Sequence, residues 1–261
     1  MDADLVIRSR QNSLLKRAGA VGAGKEEGRF LLEGERLIRD ALGAGVELEV
    51  VLVAEDDMAL AGDLAADGVE VRLVEPALLQ QASKLKTSPG SMALGVTPEL
   101  RSVSEWTPGA RDLLLVVGPV ADPGNLGALL RSAEAAGVSA VICLSGGARP
   151  YGSKALRGSM GSALRLPLFG GEASETRAAL EGLGFRQAKA ATRGGADAAD
   201  YDFEGRFALW IGGEVDDLPA EVADLHAVTI ETAGGTESLN VAVAGALLLF
   251  AAGRNKGSAD A

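Results

Sequence analysis

The chain has 261 residues, 47 % of them hydrophobic, with 35 glycines and a formal net charge of −11. That length allows one large or two ordinary domains with a sizeable core, and the acidic balance argues against indiscriminate nucleic-acid binding, which rests on Lys and Arg. A single cysteine, Cys143, excludes an internal disulfide and a cysteine-cluster metal site, and the lone His226 removes the usual catalytic base and the usual zinc ligand together.

The opening residues, MDADLVIRSRQN, begin acidic and lack the apolar core of a signal peptide. No run of about 18 apolar residues offers a membrane span, so a cytoplasmic protein is expected. Asn12 to Ala18 has a polar helix pattern, and RFLLEG then reads as a strand running into the helix ERLIRDALGAG. The strand LEVVLVA, a helix over Met58 to Ala66, the strand VEVRLV, a helix from Pro76 and the strand MALGV follow. The Pro- and Ser-bearing stretch TPELRSVSEWTPGARD breaks this pattern and is the linker candidate. The expected domains are therefore 1–106 and 107–261.

The second part opens with DLLLVVG, a continuous apolar run typical of a strand buried on both faces. A helix over Asn125 to Gly137, the strand SAVICLS, one helix SKALRGSMGSAL, the strand LRLPLF and the helix ETRAALEGL come next. Strands FRQAKAAT, RFALWIG and HAVTIE precede a long terminal helix from Ser238, and the tail NKGSADA reads as disordered. Strands alternating with helices predict an α/β fold whose mostly parallel sheet is covered on both sides.

The charge is unevenly placed. Leu5 to Lys25 carries five basic residues and no acid, Arg149 to Arg165 four, and Arg186 to Arg193 three. Local basic patches on an acidic body suit a selective polyanion partner, and solvated loops are the plainer alternative. GAVGAGKE, Gly19 to Glu26, matches a phosphate-cradling loop in outline, but a helical segment precedes it and Glu26 stands where a magnesium-binding hydroxyl is needed. No Gly-x-Gly-x-x-Gly follows the first strand of the second part, so a dinucleotide-binding oxidoreductase has no support. Cys143 sits in an apolar strand and reads as core; His226 reads as structural.

Four segments carry polar residues where an ordinary α/β core would not place them. In DPGNLGALLR the turn sets Asn125 as the helix N-cap, and Arg131 stands off the apolar stripe of Leu126, Leu129, Leu130 and Ala133, among Gly127, Ala128 and Ala135. Simple capping accounts for Asn125 equally well, and an i,i+3 salt bridge to Glu134 for Arg131. YGSKALRGSMGSALRLP offers Ser153, Arg157 and Ser159, or merely a capped surface helix. LWIGGEVDDLP is a buried strand that breaks at Gly212–Gly213 before Glu214; such a strand end admits a ligand to the backbone, or simply turns beside an exposed carboxylate. IETAGGTESLNVAVAGALLLF runs through a Gly-rich loop into a helix capped by Ser238, with Asn240 inside it as an amide that needs partners.

With their spacing, these segments resemble the SpoU-type RNA ribose 2′-O-methyltransferases of the SPOUT class. The first family motif stands as Asn125, Gly127 and Arg131, the second as Gly212 and Glu214, the third as Ser238, Leu239, Asn240 and Val241. RGSMGSALRLP is similar to the family's Arg-x-Ser-x-Gly segment, and SRQNSLLKRA with GRFLLEGERLIRDAL to its RNA-substrate-binding extension. The chain departs from the family pattern at Asp217, at Glu231–Thr232 where Pro-Met is usual, and at Ala242.

The resemblance implies a parallel-sheet SPOUT domain with a C-terminal trefoil knot, preceded by a smaller α/β RNA-binding domain. It implies S-adenosylmethionine as methyl donor, a ribose 2′-hydroxyl as acceptor, no metal, and a homodimer with the site near the subunit interface. Arg131 would be the catalytic arginine, oriented with Asn125, Glu214, Ser238 and Asn240. Gly212, Gly213, Ile230, Leu239 and Thr192 would hold the cofactor. Arg8, Arg10, Lys16, Arg17 and Lys25 from the first basic window, with Lys154 and Arg157 from the second, would contact RNA. The extra N-terminal domain favours ribosomal RNA over transfer RNA as the target. A non-catalytic RNA-binding or assembly module of the same fold is the alternative, and the retained motif side chains argue against it.

Overall fold

The computed structural model describes residues 6–213, 218–233 and 238–257. The chain forms two units, one of residues up to Pro98 together with Tyr151–Leu156, the other of the remainder.

In the first unit, β1 (Arg29–Glu33), β2 (Leu48–Ala54), β3 (Val71–Val74) and β4 (Ser91–Val96) make a sheet in the order β1-β4-β2-β3. Strand β4 runs antiparallel to both neighbours, and β2 parallel to β3. Helices α1 (Ser13–Gly22), α2 (Glu35–Gly43), α3 (Met58–Ala66) and α4 (Pro76–Ala82) cover it. Successive strand side chains point to opposite faces, and from Val50 to Ala54 both faces of β2 are buried, so that run is apolar. Val50, Leu52 and Ala54 join Leu15, Val21 and Leu79 in one cluster, while Val51 and Val53 are equally buried from the opposite face. The helices begin where local chemistry says they should. Asn12 accepts from Leu14 N at 2.9 Å to cap α1, Asp57 from Leu60 N at 3.1 Å to cap α3, and Pro76 opens α4.

The second unit holds β5 (Leu113–Val117), β6 (Ala140–Leu144), β7 (Leu168–Gly171), β8 (Arg186–Ala190), β9 (Ala196–Asp197), β10 (Phe207–Ile211) and β11 (His226–Thr229). Its strand order is β7-β6-β5-β10-β8-β11-β9, and every pairing is parallel. The helices are α5 (Pro123–Ala135), α6 (Ser153–Ser159, of which Ser153–Leu156 group with the first unit), α7 (Ser162–Arg165), α8 (Ala173–Gly182) and α9 (Val241–Gly257). One face of the sheet packs Leu114, Val116, Ile142 and Trp210 against Leu180 and Phe185. The other buries Leu115, Val117 and Leu209 near the apolar sides of α5 and α9. Because the chain winds outward from β5 through β6 to β7 and returns to set β10 on the other side, its direction reverses between β5 and β10. The carboxyl ends at such a reversal are where open α/β sheets place ligands.

Three local expectations differ from the structure. The helix expected over SKALRGSMGSAL is two helices, because Met160 (φ 49°) and Gly161 (φ 87°) both take the left-handed conformation and end α6. The two-residue β9 had no periodicity to announce it. The boundary expected near Thr107 falls at Pro98–Glu99. Residues 99–106 pack with the second unit: Val103 is buried, Arg101 O accepts from Gly170 N at 3.0 Å, and the Trp106 ring meets Phe169 edge-on at 5.9 Å while its Nε1 donates to Asp112. Cys143 is buried in β6, and that burial pushes its thiol up to about 12. Among the described residues no helix is long and apolar enough to cross a membrane.

Helix α9 lies closely on α5. A Cβ at Gly245 would run into Leu129, and one at Gly253 would stand 2.6 Å from the Ala136 carbonyl oxygen. Alanine is worth about 1 kcal/mol over glycine inside a free helix, but a backbone carbonyl cannot move aside as a side chain can, and overpacking costs about 1–3 kcal/mol. Gly253→Ala is therefore expected to lower stability in denaturant titration; a neutral or stabilised variant would show that the two helices are free to separate.

Candidate active site

The carboxyl ends of β8, β10 and β11 and the start of α9 enclose a cavity of 730 Å³, of the size that takes a small molecule. Thr192, Gly212, Gly213, Ile230 and Leu239, the residues expected to hold a cofactor, all line it, together with Ser238 and Asn240. They come from four segments, the ends of β8, β10 and β11 and the start of α9, so only the parallel winding brings them together. The walls mix apolar side chains (Ile211, Ile230, Leu248) with hydroxyls from Thr192, Thr229, Thr232 and Ser238. That is the lining an adenosine bearing a polar tail requires. At the floor the strand ends meet glycine to glycine: Gly118 N donates to Ile211 O at 2.7 Å, and a Cβ on Gly118 would lie 3.2 Å from Gly212 Cα.

Asn240 is the N-cap of α9, not a residue inside it, and this corrects the expected capping by Ser238. Its Oδ1 accepts from Ala242 N at 2.9 Å, and its Nδ2 donates to Asn125 Oδ1 at 3.1 Å. The cap expected at Asn125 is likewise taken by another residue. Asp122 accepts from Asn125 N at 2.9 Å, Pro123 opens α5, and Asn125 falls in its first turn. The Asn125 amide is thereby released to meet Asn240, 115 positions away in the chain.

Arg131 lies six residues beyond Asn125 on α5, about 9 Å along its axis. It is exposed, does not line the cavity, and makes no hydrogen bond or ion pair among the described residues. The salt bridge to Glu134 weighed from the sequence is not formed, because Glu134 is engaged by Arg165 at 2.7 Å and by the Ser162 hydroxyl at 2.6 Å. The small residues near Arg131 have a packing use too. Gly158 of α6 rests on α5, and a Cβ there would sit 3.4 Å from Gly124 O and 3.5 Å from Gly127 Cα. Glu214 and Asp217 lie outside the described residues. Glu231 and Thr232 are exposed, and Thr232 reaches the cavity.

The basic windows are less uniform in space than in sequence. Arg8 pairs with Glu55 at 2.6 Å. Arg17 pairs with Glu26 at 2.7 Å and Glu49 at 2.8 Å, and these carboxylates raise its pKa. Burial alone would push the Glu49 carboxyl up; hydrogen bonds from Arg17 and Arg29 outweigh it and hold the group below its usual range. Arg10, Lys16 and Lys25 stay exposed. Lys154 is exposed, Arg157 is half-buried, and each has a partner. In the third window Arg186 binds Asp202 and lies over the Phe207 ring, Lys189 donates to the Ala223 carbonyl, and Arg193 stands exposed on the cavity rim. Thr229 was missed from the sequence, and Arg193, read there only as part of a basic window, was not placed at the site although it follows Thr192 directly.

A parallel α/β sheet with a nucleoside-sized cavity at the carboxyl ends of β8, β10 and β11 is the class that fold and site define. The model of the SpoU rRNA Methylase family matches residues 112–250, and that of the MRM3-like substrate binding domain matches residues 23–93. The 23S rRNA (guanosine(2553)-2′-O)-methyltransferase RlmP of Bacillus subtilis (strain 168) is 30 % identical over 250 residues, covering 94 % of this chain and 97 % of that one. The AdoMet-bound rRNA methyltransferase from Sinorhizobium meliloti superposes with a TM-score of 0.87 at 25 % identity, covering 96 % and 97 % of the two chains. The SpoU methyltransferase AviRb from Streptomyces viridochromogenes, in complex with AdoMet, gives 0.83 at 25 % identity over 94 % and 99 %. The chain belongs to the SpoU rRNA Methylase family, and it is a methyltransferase.

The asparagine pair gives the site its own test. Asn240→Ala removes a helix cap, worth about 0.5–2 kcal/mol, and the bond to Asn125. A double-mutant cycle of Asn240→Ala with Asn125→Ala is expected to show coupling of about 0.5 kcal/mol or more. Strict additivity in thermal unfolding would mean the two amides do not act on each other.

Proposed function

We propose that this chain transfers a methyl group from S-adenosylmethionine to a ribose 2′-hydroxyl of ribosomal RNA in the cytoplasm. The observation that carries this reading is the convergence of Thr192, Gly212, Gly213, Ile230 and Leu239 on one cavity, with Asn240 tied to Asn125 at its edge. When bound there, S-adenosylmethionine supplies a methyl carbon on a sulfonium leaving group, so the step needs no metal. The apolar wall at Ile211, Ile230 and Leu239 would take the adenine, with the Gly212 and Gly213 backbone reachable beside it. Asn240, the cap of α9 and bonded to Asn125, would hold that wall in place, with Ser238 beside it, and the resemblance adds Glu214 to this set.

Arg131 would meet the RNA. A guanidinium carries hydrogen-bond donors and no acceptor, so the arginine is not the base. Its fixed charge would align the ribose and its phosphate and stabilise the developing alkoxide, with the proton passing to phosphate or water. Because Arg131 does not line the cavity of its own chain, this role fits a homodimer in which one copy's arginine serves its partner's cofactor. Helix α9 supports that arrangement: Val243, Leu247 and Phe250, spaced i, i+4 and i+7, leave an apolar stripe half exposed. The knot implied for the segment from β10 to α9 belongs to the same reading, as does an RNA-selecting role for the first domain.

Arg131→Ala is expected to reduce methyl transfer by about 10²–10³ while S-adenosylmethionine affinity changes less than twofold. Turnover like that of the parent chain would remove Arg131 from the mechanism. Phe250→Asp is expected to give monomers in analytical ultracentrifugation and to lose transfer with them; a fully active monomer would end the shared-site reading. The function as a whole stands or falls on mapping 2′-O-methylated positions in ribosomal RNA from cells with and without the protein.

A further inference from the structure

The loop from Ser83 to Gly90, between α4 and β4, is held by side chains rather than by regular structure. Gln80 closes it twice, its Oε1 accepting from Ser88 N at 2.7 Å and its Nε2 donating to the Lys86 carbonyl at 3.4 Å. The Ser83 hydroxyl accepts from Leu85 N at 3.0 Å and donates to the carboxylate of Glu33, a residue buried at the end of β1. Ser88 Oγ accepts from Gly90 N at 3.3 Å. A short surface loop thus has its backbone pinned at four places, while Lys84, Lys86 and Thr87 project into solvent.

The loop's own stretch of chain carries charge of one sign. From Pro76 to Pro98 the sequence has no acidic residue, on a chain whose net charge is −11. Neither lysine side chain makes an ion pair or hydrogen bond among the described residues, whereas Arg8 and Arg17 of the first basic window are both engaged by carboxylates. Lys84 has one structural use, since its Cε lies 4.0 Å from where a Cβ on Gly22 would be, over the last turn of α1, and a cation there offsets the helix dipole. Lys86 has no such use. Two solvated ammonium groups on a backbone that is already ordered lose little entropy on binding, and phosphates are what such point charges recognise.

Building on the RNA-methyltransferase reading above, we propose that this loop is an RNA phosphate contact of the first unit. Lys86 and Lys84 are its cations, and Glu33 is the positioning residue that sets the loop through Ser83. The test is binding of the full chain to in-vitro-transcribed 23S ribosomal RNA over a range of salt concentrations. Lys86→Ala and the double variant Lys84→Ala, Lys86→Ala should weaken binding several-fold and reduce the slope of log K against log salt by about 0.7–0.9 per lysine. Ser83→Ala should also weaken RNA binding and Ser83→Thr, which keeps the hydroxyl, should restore it. S-adenosylmethionine affinity should be unchanged in every variant. If the parent chain binds and methylates this RNA while both lysine variants keep its affinity and slope, the loop is not a contact and only this inference falls. If Ser83→Ala binds RNA as the parent does, Glu33 is not a positioning residue. A parent chain that neither binds nor methylates RNA overturns the functional reading and this inference with it.

Discussion

Helix α9 crosses α5 with glycine at two of its contact points, Gly245 beneath Leu129 and Gly253 against the Ala136 carbonyl. The absence of side chains there lets the two backbones approach, and the cavity depends on that approach. The first turns of α9 form one wall of it through Leu239, Asn240, Val241 and Ala244. The Asn125–Asn240 bond closes the end of the same helix pair. One packing constraint therefore sets the wall of the cavity, the cap of α9 and the place where the first family motif touches the third. Small residues do similar work one helix further on, where Gly158 of α6 lies against Gly124 and Gly127.

Electrostatics is arranged by consumption as much as by placement. Acid-free windows of sequence suggested three basic patches, yet four of their eight arginines pair with carboxylates from other elements: Arg8 with Glu55, Arg17 with Glu26 and Glu49, Arg165 with Glu134, Arg186 with Asp202. The surface cations without such partners among the described residues include Arg131, Arg193 and the neighbouring Lys84 and Lys86. An acidic body repels polyanions in general and binds one only where its phosphates match the positions of such cations.

The regular elements were legible because each has a strong local cause. Helix α3 spans Met58–Ala66 as expected, with Asp57 capping its start, and β5 was announced by the continuous apolar run that two-sided burial requires. The failures have local causes as well. The break at Met160–Gly161 depends on a left-handed methionine, which sequence does not favour. Residues 99–106 look like a linker by composition, but Val103 and Trp106 are recruited by Phe169 and Asp112, and that recruitment is visible only once β7 is in place.

For the site, the sequence by itself determined which residue types stand at which spacing: the asparagine and arginine of α5, the glycine pair after β10, and the Ser-Leu-Asn-Val start of α9. It also determined the strand-and-helix alternation that makes the sheet parallel, since periodicity and turn chemistry act within a few residues of chain. The tertiary structure alone decided the partners. Asp122 took the cap that Asn125 was expected to provide, Asn240 replaced Ser238 as the cap of α9, and Glu134 turned to Arg165 and left Arg131 without an ion pair among the described residues. These are competitions among groups far apart in the chain for the same hydrogen bonds and charges, and distance in space, which no local pattern encodes, settles which of them wins.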